Sequence, residues 1–212
     1  MSTKPEATLQ ASTISTSTHP GESRAAILIR EVFESGRPLT YIRSTEEHRI
    51  GKVLREVAGR MPGAAPVAVW TWSLTEGMHR DDEAAVEGTL SPRGALDFIA
   101  ALGEPGIFHL KDFHEALRES PEIRRRFRDL YESCLDRRKF VVVTSPVRFI
   151  PEEVERSLLY LELRPPDLVE LVDFLREESR RIAPRGDAAE TGDAVLYQLA
   201  RAYELNAQPE KA

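Results

Sequence analysis

Gly106-Ile107-Phe108-His109-Leu110-Lys111-Asp112-Phe113-His114 is the stretch that decides the fold. Pro105-Gly106 opens it as a turn, large side chains run to Leu110, and the polar pair Lys111-Asp112 closes it. An apolar run that ends abruptly in an acid predicts a buried strand over 106–112 that delivers a carboxylate to the end of a sheet. Ligands of parallel α/β sheets sit at the carboxyl ends of strands, so Asp112 is a candidate functional residue.

Four other runs have strand character. Leu39-Thr40-Tyr41-Ile42 follows Pro38, Val67 to Trp72 follows Pro66, Lys139 to Ser145 contains Phe140-Val141-Val142-Val143-Thr144, and Ser157 to Leu163 completes the set. Helical spacing fills the intervals: Ile27, Leu28, Val32 and Phe33; Ile50, Val53, Leu54 and Val57; Leu96, Phe98, Ile99 and Leu102 behind the N-cap pair Ser91-Pro92. Ile123, Phe127, Leu130, Tyr131 and Leu135 follow Pro121 in the same pattern, Leu168 to Leu175 follow Pro165-Pro166-Asp167, and Thr191 to Leu205 is a last amphipathic segment. Gly77 to Thr89 carries His79-Arg80-Asp81-Asp82-Glu83 and little that is apolar, which reads as a loop with at most a helical turn. Strands alternating with helices predict an α/β domain: a parallel five-stranded sheet flanked by helices on both faces, with right-handed crossovers.

The chain of 212 residues is long enough for one such core. Residues 1–22 are rich in Ser and Thr and read as a disordered leader, 23–183 as the α/β domain, and 184–212, after Pro184-Arg185-Gly186, as a C-terminal helical tail. A formal charge of −6 offers no general attraction to phosphate backbones, so nucleic acid is not an expected partner. The one basic cluster, Arg124-Arg125-Arg126 with Arg128, is diluted by Glu122, Asp129 and Glu132 and reads as a solvated helix face. A single cysteine, Cys134, excludes an internal disulfide. With no apolar run of membrane length and no secretory signal, the expected place is the cytoplasm, with no membrane partner.

In a phosphate-binding fold of this class, glycines in the turn after the first strand let backbone N–H groups wrap phosphate, and a lysine reaches the outer phosphates. Here that turn reads Arg43-Ser44-Thr45-Glu46-Glu47-His48-Arg49. It has no glycine and no correctly placed lysine. Ser44 with Glu47 fits a capping box, and Glu46 and Glu47 put carboxylates at the positive end of the helix dipole. Gly51-Lys52 needs a glycine where Glu46 stands to be a phosphate loop, and reads as a helix-surface pair.

The order of these parts resembles an AAA+-type domain of the three-layer P-loop NTPase class. It resembles more closely the degenerate N-terminal domain of a two-domain AAA ATPase family of cyanobacteria, plastids and other bacteria. The resemblance covers roughly residues 24–180 and rests on "PLTYIRSTEEHR", "APVAVWTWSLTEG", "ALDFIAALGEPGIFHLKDFH" and "RKFVVVTSPVRFIPEEVERSLLYLELRPPDLVEL". It implies that Asp112 stands at the Walker-B-like acid on the magnesium side, that Phe113 stands where a catalytic glutamate is expected, and that Thr144 or Ser145 stands at the sensor. Ser44, Thr45, Glu46 and Glu47 occupy the degenerate phosphate-loop position, and the tail after residue 184 becomes a remnant lid. The family's catalytic machinery lies in a second domain downstream, so this chain is a fragment or a free-standing relative.

The implied function is that of a non-catalytic module acting through a protein partner or self-association. The alternative is an ATP-binding domain, with magnesium, that uses a non-standard loop and is active as an oligomer or beside a second ATPase domain; its activity would be ATP hydrolysis. A metal reading at His109, Asp112 and His114 is also available, since imidazole and carboxylate are ordinary ligands. Strand alternation points His109 and Asp112 to opposite faces, leaving Asp112 and His114 as the metal candidates. No serine lies in a nucleophile elbow, Trp70 and Trp72 share a core face, and Arg148 reads as an exposed loop arginine.

Overall fold

Six strands form one sheet in the order β3-β2-β4-β5-β1-β6. They are β1 (Leu39–Arg43), β2 (Ala68–Ser73), β3 (Gly77–Arg80), β4 (Gly106–Lys111), β5 (Lys139–Ser145) and β6 (Leu159–Glu162). The computed structural model describes residues 22–62, 67–81, 83–163 and 197. The chain divides into two units, Met1–Leu161 and Glu162–Ala212, and the described residues fall almost wholly in the first. The helices expected after Pro165 and over Thr191–Leu205 lie outside the described residues, as does the leader except for Glu22, whose carboxylate pairs with Arg30 at 3.0 Å.

β1 pairs parallel with β5, β5 with β4, and β4 with β2. β4 and β5 therefore lie inside the sheet, and from Gly106 to Leu110 and from Lys139 to Ser145 every residue is buried. This is why their sequences are continuous apolar runs and do not alternate. Phe108, Leu110, Val141, Val143, Leu39, Tyr41 and Trp72 join one core with residues of α3 (Pro92–Ala101) and α5 (Pro121–Cys134). The opposite face, carrying Ile107, His109, Val142 and Thr144 by alternation, is covered by α2 (Glu47–Arg60), which packs on β2, β4 and β5 and against α1 (Arg24–Glu34).

The helix starts follow from local chemistry. Ser91 Oγ accepts from Gly94 N at 3.1 Å with Pro92 in the first turn, and Ser120 Oγ accepts from Ile123 N at 3.3 Å with Pro121 next. Ser23 caps α1 and donates to Glu56 at 2.9 Å, which fastens α1 to α2. Short α4 (His114–Glu119) and α6 (Glu152–Glu155) fill the connections after β4 and β5. Among the described residues no helix is long and apolar enough to cross a membrane.

The expected five-stranded parallel sheet is corrected by β3, which is antiparallel to β2 at the sheet edge. Gly77–Arg80 was expected in a loop because it buries one large apolar side chain, Met78. Its strand character comes from pairing with β2 and from the following segment: Val86 N donates to Met78 O at 2.7 Å, and Met78 N to Thr89 Oγ1 at 2.9 Å. Neither contact leaves a periodic trace in the sequence.

Two glycines in helices carry opposite consequences. A Cβ on Gly94 would overlap the carbonyl oxygen of Gly88, whereas one on Gly59, at the exposed end of α2, meets nothing within 4 Å. Gly94→Ala is expected to destabilise the domain by about 1–3 kcal/mol through overpacking. Gly59→Ala is expected to stabilise it by about 0.5–1 kcal/mol through helix propensity. Urea midpoints of the two variants should therefore move in opposite directions.

Candidate functional site

The carboxyl ends of β1, β4 and β5 make the rim on which the sequence places its candidates. Ser44 N donates to Ser145 O at 2.9 Å, so the turn after β1 is held to the end of β5 by backbone. The predicted capping box does not form. Ser44 Oγ accepts from Glu46 N at 3.0 Å, two residues on, and α2 begins with Glu46 as its N-cap and no side-chain cap bond. The serine sits too early in the chain to reach the third N–H of the helix, so it closes a local turn. The carboxylates at this helix start are instead matched by cations: Glu46 pairs with Arg49 at 2.8 Å, and Glu47 lies 3.9 Å from Lys111 at the end of β4. Thr45 between them is exposed.

Asp112 lies where the sequence placed it, immediately after β4, with its side chain about half exposed. Its φ of 51° is left-handed, a conformation Asp tolerates better than most residues, and its N–H donates to Thr144 O at 2.9 Å. The turn drives Phe113 inward, where it is fully buried between Trp72 and Phe127, with ring centroids 5.2 and 6.0 Å away. The position next to the acid is thus a core position that faces α3 and α5.

Thr144 and Ser145 are fully buried. Thr144 Oγ1 is 2.9 Å from His109 Nε2 and Ser145 Oγ accepts from Val147 N at 3.2 Å, so both hydroxyls are used inside the fold. Sequence reasoning missed the His109–Thr144 pair, because it depends on the β4–β5 register that sets Lys111 beside Thr144 and is visible only once the strands are paired. A Cβ on Gly51 would lie 3.9 Å from His109 Nδ1, so Gly51 faces the sheet over this histidine rather than the surface. Burial, with Lys111 and Arg55 nearby, pushes the His109 pKa down to about 3, which keeps the imidazole neutral.

His109 and His114 do not converge on Asp112. His114 Nε2 meets Glu115 at 2.9 Å and its buried Nδ1 lies 3.8 Å from Asp112, while His109 faces α2. Among the described residues no three His, Cys, Asp or Glu side chains are grouped to hold a metal ion. Arg148 is exposed in the loop after β5, as expected, and lies over the Tyr160 ring at 4.6 Å. Tyr41 Oη donates to Val147 O at 2.6 Å and accepts from Phe149 N at 3.3 Å, tying the loop after β5 to β1.

Two outcomes follow from this geometry. The unfolded chain binds a proton on His109 below about pH 6.5, whereas the folded chain does not until about pH 3, so stability from this group is full above 6.5 and falls as pH drops. The stability gap between the wild type and His109→Gln, measured by urea unfolding, should shift against the wild type by about 2 kcal/mol between pH 7.5 and 5. Phe113→Glu should cost about 3–5 kcal/mol or more, because it removes a core ring and buries a carboxylate, and circular dichroism should show a much lower Tm.

Residues 26–163 match the family described as SpoVK-like AAA ATPase, N-terminal domain. Among solved structures, a DNA polymerase III gamma subunit-related protein from Thermotoga maritima is 17% identical with a TM-score of 0.46, over 85% of this chain and 58% of that one. The replication initiator DnaA, bound to AMPPCP and single-stranded DNA, is 12% identical with a TM-score of 0.44, over 91% of this chain and 63% of that one. The chain thus spans less than two thirds of either solved protein. Among curated proteins none matches it by sequence. With the family match running from α1 through β6, the chain belongs to the SpoVK-like AAA ATPase N-terminal domain family.

Proposed function

We propose that this domain is a non-catalytic AAA+ module with a degenerate nucleotide site, acting through protein contacts beside an ATPase domain or within an oligomer. The observation that carries the reading is the start of α2, where Glu46–Arg49 and Glu47–Lys111 meet on the spot a phosphate cradle needs. A triphosphate would bring more negative charge against two carboxylates, and both nearby cations already have counter-charges. The residues therefore do not fit ATP with magnesium. Buried Phe113 supports the same reading, since the residue that follows Asp112 is a core ring and not a carboxylate able to orient an attacking water. The two-domain arrangement, with catalysis supplied by another domain, belongs to this proposal.

One observation favours the alternative of ATP binding through a non-standard loop: Asp112 stays half exposed at the carboxyl end of β4. Calorimetry with ATP, ADP and magnesium separates the two readings. The expected outcome is no saturable heat and no change in Tm at millimolar nucleotide. Saturable binding that Asp112→Ala abolishes would overturn the non-catalytic reading.

A further inference from the structure

β3 is the last strand of the sheet, and the segment Glu83–Leu90 runs along its outer side. An edge strand exposes alternate N–H and C=O groups, and these recruit any extended chain that reaches them unless they are covered. On β3 the outward groups belong to Met78 and Arg80. The segment answers three of them. Thr89 Oγ1 accepts from Met78 N at 2.9 Å, Val86 N donates to Met78 O at 2.7 Å, and Glu83 N donates to Arg80 O at 3.0 Å. Glu83 also pairs with the Arg80 guanidinium at 2.6 Å. The strap thus takes three of the four outward backbone groups of Met78 and Arg80, although it has no strand conformation itself.

One residue holds most of it. Thr89 is 2% exposed, and its hydroxyl also donates to Val86 O at 2.6 Å while its carbonyl accepts from Trp72 Nε1 at 2.7 Å. On the far side the Gly88 carbonyl fits against α3 only because residue 94 has no Cβ. The strap is otherwise lightly anchored: Glu83, Ala84, Ala85, Glu87, Gly88 and Leu90 are exposed.

We infer that the Glu83–Leu90 strap is a removable cover latched by Thr89, and that the edge beneath it accepts β3 of a second copy of this chain. The second copy is the occupant that the charges fit. A two-fold axis through Met78 pairs the strands antiparallel and sets Arg80 of each opposite Glu76 of the other, the last residue of the β2–β3 turn, whose carboxylate now accepts from Ser73 Oγ at 3.1 Å; this contact replaces the bond each Arg80 now makes with Glu83. Exposed Leu74, in the turn between β2 and β3, adds apolar area on pairing. The inference gives a surface to the protein-contact reading above, but its test is separate, because the strap is remote from the nucleotide measurement.

Thr89→Val keeps the side-chain shape and removes the hydroxyl, and Gly94→Ala pushes the Gly88 carbonyl away from the other side. In Thr89→Val the Met78 amide should exchange with solvent about tenfold faster than in the wild type, while Thr89→Ser keeps its protection. Sedimentation should show more dimer in both opened variants than in the wild type at equal concentration. In the Thr89→Val background, Arg80→Glu should remove that dimer and Arg80→Glu with Glu76→Arg should restore it. Unchanged self-association in both opened variants would overturn the inference. A dimer indifferent to the charge exchange would overturn it too, because strap swapping or another surface would then be responsible.

Discussion

The left-handed turn at Asp112 is the constraint on which the rim depends. β4 must be apolar on both faces because it lies inside the sheet, and the chain leaving it must at once cover the α3–α5 core and keep a carboxylate in water. A positive φ at Asp112, fixed by its N–H on Thr144 O, turns the next side chain inward and leaves the acid outward. Phe113 then wedges between Trp72 and Phe127. The local strain of a left-handed Asp, about 1–2 kcal/mol, is offset by the burial of a whole phenyl ring, about 2–3 kcal/mol by transfer. The geometry of the rim is therefore set by core packing.

The two faces of the sheet show two ways of placing an ionisable group in the interior. Lys139, at the start of β5, is 1% exposed and donates its ammonium protons to Ile99 O at 2.8 Å and Ala100 O at 3.4 Å, at the carboxyl end of α3. Unpaired helix-end carbonyls and the negative end of the dipole meet a positive charge there. Burial still lowers the lysine pKa. His109 has no such partner charge and stays neutral, joined to Thr144. Both groups lie on inner strands, and each binds the sheet to something beyond it in sequence: β5 to α3, and β4 to β5.

Much of this was legible in the sequence where a pattern repeats. The runs at 39–42, 106–112 and 139–145 are strands within a residue or so, and the Ser91-Pro92 pair and Pro121 do open helices. Asp112 was legible because an acid after an apolar run marks a strand end. What escaped depends on partners far along the chain. β3 is held by Thr89 and β2, the Thr144 hydroxyl by a histidine 35 residues earlier, and Lys111 by a carboxylate on α2. Ser44 escaped for the opposite reason. Its Oγ had two local N–H groups within reach, and spacing alone did not say which it would take.

A glycine-rich phosphate loop leaves backbone N–H groups open and relies on an anion to satisfy them. The turn after β1 is built the other way. Ser44 takes the N–H of Glu46, the Ser44 N–H goes to β5, and the carboxylates of Glu46 and Glu47 face Arg49 and Lys111. These bonds close the turn on groups of the chain itself. On the proposed reading, a domain that presents surfaces gains from a turn closed in this way. The proposal therefore rests on one physical point: the carboxylates and cations at the start of α2 are engaged with one another in holding the turn.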